Sequence, residues 1–325
     1  LPIKYDGKAS AKRFATSIAL QSSKPIKYPK KQSTIQYPIA IEKKYKRYLT
    51  SIMKRFENIV KDEIFPNLNR WKQDQKFLID SIDYSTDSSI IKYDAWEDEL
   101  DDVNKQYIDT QTRLKEQEKE SILEELFLIG SAVYGFTSKQ WDKVVQSVFG
   151  VTVPTVDAWE SPFINQWVKN NVNLITGLSE EYRKAIYNSV SNGITTKQTV
   201  ASLKEDLKKI NKKFTDTRVN LIARDQVSKL HSQVVEQKQR DVGVSWYIWI
   251  TAFDERVRSR HKPLHDKLCK WNNVTIYSTD GGKTWQSRSS IGAVELHPGQ
   301  DYQCRCYAEA YWNEVIADVN KQIIA

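Results

Sequence analysis

A change of hydrophobic period near residue 243 predicts an α+β protein, a mostly helical body followed by a small C-terminal α+β module. From Ile41 to Asp241 apolar residues recur every three or four positions, the spacing of one helix face. From Val244 the spacing drops to two and turn residues follow. Ten Trp and sixteen Tyr in a chain that is 40% hydrophobic supply more burial area than a disordered chain carries. At 325 residues there is room for two or three domains of roughly 100–200 residues each.

Residues 1–38 hold Pro2, Pro25, Pro29 and Pro38 among many Lys and Ser, with no sustained period, and read as an extended basic arm. Residues 39–155 form a helical N-terminal region. Tyr45, Tyr48, Leu49, Ile52, Phe56 and Ile59 mark a first helix running to about Leu78. The acidic run from Asp94 to Asp102 leads into a second through Leu114, Ile122, Leu123, Leu126 and Phe127. Gly130 and Gly135 loosen that pattern before another helix around Trp141 to Phe149.

Residues 156–243 read as four further helices. Ser161-Pro162 fits an N-cap followed by proline at the first helical position, and Trp167, Leu174 and Ile175 supply the apolar stripe. Ser179, with Glu180 and Glu181, opens the next helix, which stops at Gly193. Thr195 or Thr196 starts a third through Val200, Leu203 and Leu207, and a fourth spans about Asp216 to Asp241, closed by Gly243. This hairpin or small bundle should bury Trp167, Leu174, Ile186, Leu203, Ile222 and Leu230. Residues 244–325 form the α+β module, with a strand at Val244–Thr251, a hairpin from Val274–Ser278 through Asp280-Gly281-Gly282 to Thr284-Trp285, and another strand within Cys304–Tyr311.

Charge is concentrated at one end. Residues 1–60 carry fourteen Lys and Arg against Asp6, Glu42 and Glu57, so this stretch exceeds the net +8 of the whole chain and the remainder is slightly acidic. Lys4, Lys8, Lys12, Arg13, Lys24, Lys27, Lys30 and Lys31 are therefore the candidate contacts to nucleic acid or to an acidic partner. Ile26, Tyr28, Ile35, Tyr37 and Ile39 are alternative anchors to a protein neighbour, and the arm is expected to gain order only in an assembly. No run reaches the roughly 18 apolar residues of a membrane span, and no signal pattern opens the chain. It begins at Leu1 and not at Met, as a processed or trimmed product would.

Three of four histidines (His261, His265, His297) and all three cysteines (Cys269, Cys304, Cys306) fall within residues 261–306. Imidazole and thiolate are the ligand set of a structural Zn²⁺, four to a tetrahedron, and His261, His265, His297, Cys304 and Cys306 are the candidate ligands. The alternative places Cys304 and Cys306 on one face of a strand and makes the histidines ordinary loop residues. No nucleophile elbow or phosphate-binding glycine loop accompanies these residues, so no enzyme is expected. Trp246, Trp249, Trp271 and Trp285 read either as an aromatic nucleic-acid surface or as the core of a small sheet.

Several segments resemble, in order and spacing, the phage head-morphogenesis (minor head protein, Mu protein F-like) family. They are Ala223-Arg224-Asp225-Gln226, Trp249-x₄-Asp254-Glu255-Arg256-Val257-Arg258-x₂-His261 and Pro298-Gly299-Gln300-Asp301-x₂-Cys304-Arg305-Cys306, preceded by Trp167-Val168-x-Asn170-x-Val172-x-Leu174-Ile175. The likeness spans about residues 160–312. It implies a minor capsid protein that acts in head assembly near the portal vertex, with portal protein, neighbouring capsid proteins and packaged double-stranded DNA as partners. Its place would be the virion head, and the host cytoplasm during assembly, with no membrane. A DNA-binding virion protein and a zinc-dependent nuclease or effector are the rival readings. His261, Cys304 and Cys306 fall on the recurring motif, while Asp266 stands where members of the resembled family often have a small residue, commonly glycine, a few positions after the histidine. Some relatives have Cys-x₂-Cys at Arg258 and His261, which leaves this chain one ligand short, for His265, Cys269 or His297 to supply.

Overall fold

The structure is a computed structural model that describes residues 7–73, 95–153, 160–196, 198–252, 254–255 and 257–324. Lys4, Arg256, Asp94 and residues 74–78 of the first expected helix lie outside them, as does the side chain of Leu114. Its elements are α1 (Gly7–Gln21), α2 (Ile39–Ile59), α3 (Ala95–Glu116), α4 (Lys119–Phe149), α5 (Glu160–Thr195), α6 (Val200–Lys212), α7 (Val219–Asp241), β1 (Trp246–Ile250), β2 (Leu268–Lys270), β3 (Asn273–Ser278), β4 (Gln286–Ser287), β5 (Tyr307–Ala310) and α8 (Asn313–Ile324). The protein is mostly helical with a C-terminal five-stranded antiparallel sheet, the α+β organisation expected. None of the described helices is long and apolar enough to cross a membrane.

The chain divides into two compact units. One comprises Lys43–Leu126 and Val168–Ala223. Tyr45, Leu49, Ile52, Met53 and Phe56 of α2 fall on one face at helical spacing and are buried. Phe56 stacks on Tyr107 of α3 at 5.9 Å, and Tyr182 of α5 meets Phe214 edge-on at 5.4 Å. Thr199 caps α6 by accepting the Ser202 amide at 3.2 Å.

The helix boundaries expected here were too many. Ser179 does not open a helix, because its hydroxyl donates to the Thr176 carbonyl at 2.9 Å and lets α5 run on. The expected third and fourth helices are joined through a π-helical stretch, Lys213–Arg218, that widens the turn without breaking it. Gly130 and Gly135 likewise sit inside the continuous α4. Of the six expected core positions Trp167, Ile186, Leu203 and Leu230 are buried, whereas Leu174 and Ile222 are half-buried.

The other unit comprises Leu1–Glu42, Phe127–Trp167 and Arg224–Ala325. Its sheet runs β4-β3-β2-β1-β5, with Tyr247 of β1 opposite Cys269 of β2 and Ala310 of β5. Period-2 alternation turns Tyr247 and Trp249 into a core with Trp271, Leu264, Tyr277, Cys304 and Cys306. Trp246 instead stays half-buried on the opposite face, where it meets Trp285 at 5.2 Å with Lys270 Nζ 4.1 Å over the Trp285 ring. The four tryptophans are thus split, two to the core and two to the outer face. Strand β2 had no sequence signal, and Cys304 to Cys306 precede β5 as irregular backbone and are not part of a strand.

The extended-arm expectation is corrected most. Gly7–Gln21 is a helix, and its Phe14, Ala15 and Ile18 are buried with Trp312, Val315, Ile316 and Val319 of the C-terminal α8 region. The following extended segment is docked too. Asn320 exchanges two hydrogen bonds with the Ile26 backbone at 2.7 and 2.9 Å, and Gln32 bridges the Ala310 carbonyl and the Trp312 indole N–H. The anchor role suggested for Ile26 and Ile35 is therefore filled within the chain, while Tyr28 and Ile39 remain exposed. This stretch has too little apolar surface to order itself, but the other end of the chain supplies the missing half of the core. Gly243 makes the approach possible: it has φ +87, and a Cβ there would meet Ala11 Cβ at 3.1 Å.

Candidate metal centre

Two irregular loops carry the chemistry, the one after β1 and the one before β5. In the first, the His261 amide bonds the Arg258 carbonyl at 2.9 Å and His261 precedes a 3₁₀ turn at Lys262–Leu264. In the second, His297 and Gln300 bond each other, and the Cys304 amide reaches the Asp301 carbonyl at 3.1 Å. This loop is clamped from α7: buried Asp225 accepts the Gln303 amide at 3.0 Å, and the Ser228 hydroxyl donates to the Cys304 carbonyl. Gly299, at φ +81, packs against α7 where a Cβ would lie 1.7 Å from Ser232 Oγ, and its N–H points at Cys304 Sγ at 3.4 Å. Gly299→Ala should therefore displace the loop and lower zinc retention, measured by elemental analysis; unchanged zinc content would refute this role.

His261 Nδ1 lies 3.5 Å from Cys304 Sγ and 3.6 Å from Cys306 Sγ, and all three are buried. Zn–S bonds of about 2.3 Å and Zn–N bonds of about 2.0–2.1 Å, opened to a tetrahedral angle, separate N and S by about 3.6 Å. The donors thus stand at coordination distance before any ion is considered. His261 Nε2 faces Asp301 Oδ2 at 2.9 Å, and Arg258 holds the same oxygen at 2.8 Å. That carboxylate fixes the proton on Nε2 and leaves the Nδ1 lone pair toward the sulfurs, the outer-shell arrangement of metal-ligating histidines.

Electrostatics agree with a ligand role. Cys306 hydrogen-bonds to Cys304 and pulls its thiol below the ordinary range against the cost of burial, with His261 and the Gly299 amide helping. Cys306 is pushed up in turn, because it shares its proton with that sulfur. Burial pushes His261 down, but Cys304 and Asp301 outweigh it and the imidazole is raised. A divalent ion would replace these shared protons and leave two thiolates and a neutral imidazole.

Of the five candidate ligands the structure brings together His261, Cys304 and Cys306. His265 is turned away, accepting the Thr251 amide on Nδ1 at 3.3 Å with Nε2 3.3 Å from Asp266. His297 bonds the Tyr247 hydroxyl at 2.9 Å and packs on Trp271, and Cys269 lies in the sheet core. Asp266 has φ +58, a conformation that Asp tolerates better than most side chains. Asp301, Asp225, Ser228 and Gly299 were not singled out as site residues. Three of them stood inside the recurring segments, which was the available signal. Beside the trio lies a cavity of about 120 Å³ lined by Arg224, Asp254, Arg258 and Arg305, with Arg305 paired to Asp254.

The basic candidates lie elsewhere. Lys8, Lys12 and Arg13 are exposed on α1, and Lys24, Lys27, Lys30 and Lys31 are exposed on the segment that follows.

Comparison with known proteins finds similarity over the region that holds this site. Residues 180–309 match the family described as Phage Mu protein F like protein, a span that contains the trio, Asp301 and the α7 clamp. A Haemophilus influenzae protein without a functional name is 27% identical over 161 residues, covering 50% of this chain and 31% of that protein. The chain therefore spans about a third of that relative's length. No solved structure matches. Over residues 180–309 the chain thus matches the family of Phage Mu protein F like proteins.

Proposed function

We propose that the chain is a minor capsid protein that acts in phage head assembly at or near the portal vertex, and that it is not an enzyme. The observation that carries this is the coincidence of the Mu F-like span with a buried His/Cys/Cys group that brings together the loop after β1 and the loop before β5, the latter held to α7 through Asp225 and Ser228. Such a centre suits a structural staple: its donors would fasten the loop after β1 to the loop before β5, which α7 holds through Asp225 and Ser228. His261, Cys304 and Cys306 would hold zinc, which supplies cross-linking of the two loops.

Portal protein and neighbouring capsid proteins are the proposed partners, in the virion and in the host cytoplasm during assembly. Packaged double-stranded DNA is the proposed partner of the exposed row Lys24, Lys27, Lys30 and Lys31, with Lys8, Lys12 and Arg13 beside it in sequence. Because the row belongs to a docked segment, its backbone is held in place and binding has only the lysine side chains to order.

Sedimented virions analysed by quantitative gels should contain the chain at low copy, and its absence from purified heads would refute the assignment. Replacing Lys24, Lys27, Lys30 and Lys31 together by Gln should weaken DNA retention and flatten its salt dependence, by about 0.9 in log–log slope for each phosphate no longer neutralised. An unchanged salt slope would remove DNA from the proposed partners.

A further inference from the structure

The cavity beside the trio supports a second proposal, which rests on the metal reading above. Among the described residues, a metal held by His261, Cys304 and Cys306 lacks one donor of a tetrahedron. The side chains that sequence spacing offers for the fourth place are engaged elsewhere: His265 with Thr251, His297 with Tyr247, and Cys269 in the core. Asp301 is committed to the far nitrogen of His261 and to Arg258. What faces the trio is the 120 Å³ cavity, whose described lining contains Arg224, Arg258 and Arg305 with Asp254; Arg305 is paired to Asp254, Arg258 to Asp301 and Arg224, at 3.6 Å, to Glu42.

Zinc sites closed by four protein donors are structural, whereas sites with three protein donors accept a further group in the fourth position. Guanidinium forks around that position match the two oxygens of an oxyanion. Depth selects among oxyanions. His261, Cys304 and Cys306 are only 2–5% exposed. A carboxylate arrives on a single stem and can pass between the arginines, while a phosphodiester is flanked by two sugars and is held at the rim.

We propose that the fourth metal position is open and is filled from outside by a protein carboxylate, so that the centre doubles as a latch for an acidic segment of an assembly partner. Arg305 and Arg224 steer and hold the carboxylate, and Asp254 sets how strongly it is attracted by occupying Arg305 in its absence.

Cobalt(II) provides the test, since the d–d bands of a four-coordinate thiolate centre respond to exchange of a single ligand. The full chain loaded with cobalt is titrated with acetate and, separately, with dimethyl phosphate as a phosphodiester mimic. Acetate is expected to shift the bands saturably and dimethyl phosphate to leave them unchanged. Arg305→Gln should weaken the acetate response roughly tenfold, through removal of one charge-assisted hydrogen bond, and Asp254→Asn should strengthen it. Cobalt bands that acetate does not move, or that dimethyl phosphate moves as readily, overturn this proposal alone. So does an altered resting spectrum in Asp254→Asn, which would make Asp254 itself the fourth ligand. Failure to bind cobalt overturns the metal reading and this proposal with it.

Discussion

Replacing Cys304 or Cys306 by serine, or stripping the protein with a strong chelator, is expected to abolish zinc retention and to cost more than about 4 kcal/mol in stability of the C-terminal unit. The effect is large because the ligands sit on irregular backbone that is otherwise held by individual hydrogen bonds, such as those with Asp225 and Ser228 of α7, and by no sheet or helix ladder. His261 lies in the irregular connection after β1 and Cys304 in the one before β5, and neither segment belongs to the sheet ladder. Binding a metal across them is therefore folding free energy for both. The sheet itself should survive in part, since Tyr247, Trp249, Trp271 and Tyr277 also pack on one another in the core that holds Cys304 and Cys306. Asp301→Asn keeps the shape but weakens the orientation of His261, and should reduce zinc affinity about 10–100-fold without unfolding the chain. Elemental analysis paired with calorimetry, with and without chelator, reads all three variants. A Cys304→Ser protein that melts like the parent and carries the same zinc would refute the centre.

Acid should destabilise the same unit through two buried imidazoles. Burial pushes His231 down to about 4; its Nδ1 lies 2.8 Å from Thr137 Oγ1, whose own proton goes to the Val133 carbonyl, so the ring donates there. Burial, with Arg288 and Arg240 nearby, also pushes His297 down to about 4. Arg288 donates to the Tyr247 oxygen at 3.1 Å, which leaves the Tyr247 proton for His297 Nδ1 and requires the neutral ring. Above about pH 6.5 neither the folded nor the unfolded chain protonates these rings, and their full contribution is present. As pH falls from 6.5 to 4 the unfolded chain takes up protons that the fold refuses, and stability drops by about 3 kcal/mol for each ring. Asp241, raised to about 7 by burial, opposes this, because it favours the fold at low pH and the contribution fades as pH rises through 7. The comparison of parent with a His231→Asn/His297→Asn double variant cancels that contribution. Urea midpoints followed by tryptophan fluorescence should fall steeply between pH 6.5 and 4 for the parent and less for the variant. Equal slopes would show that these histidines do not govern the acid response.

Much of the architecture was legible from local pattern. The switch of period at Gly243 marked where helices give way to strands, and the alternation in Trp246–Ile250 set which residues face inward. Helix ends were less legible. Ser179 looks like a cap in sequence, yet a serine that bonds the carbonyl three residues back is equally at home inside a helix. The recurring segments pointed to the family and to His261, Cys304 and Cys306, because both cysteines and the histidine bring ligand chemistry wherever the chain carries them.

Tertiary structure alone decided the rest. It reduced five candidate ligands to three, since coordination depends on the direction of each side chain and His265 and His297 point into other hydrogen bonds. It also turned an apparent free arm into part of the core, with Phe14 and Ile18 buried in one cluster with Val315 and Val319, about three hundred residues away. Periodicity reports only which face of a segment is apolar. Which distant segment covers that face is settled by shape and by the free energy of the whole packed unit, and neither is written at any one position of the chain.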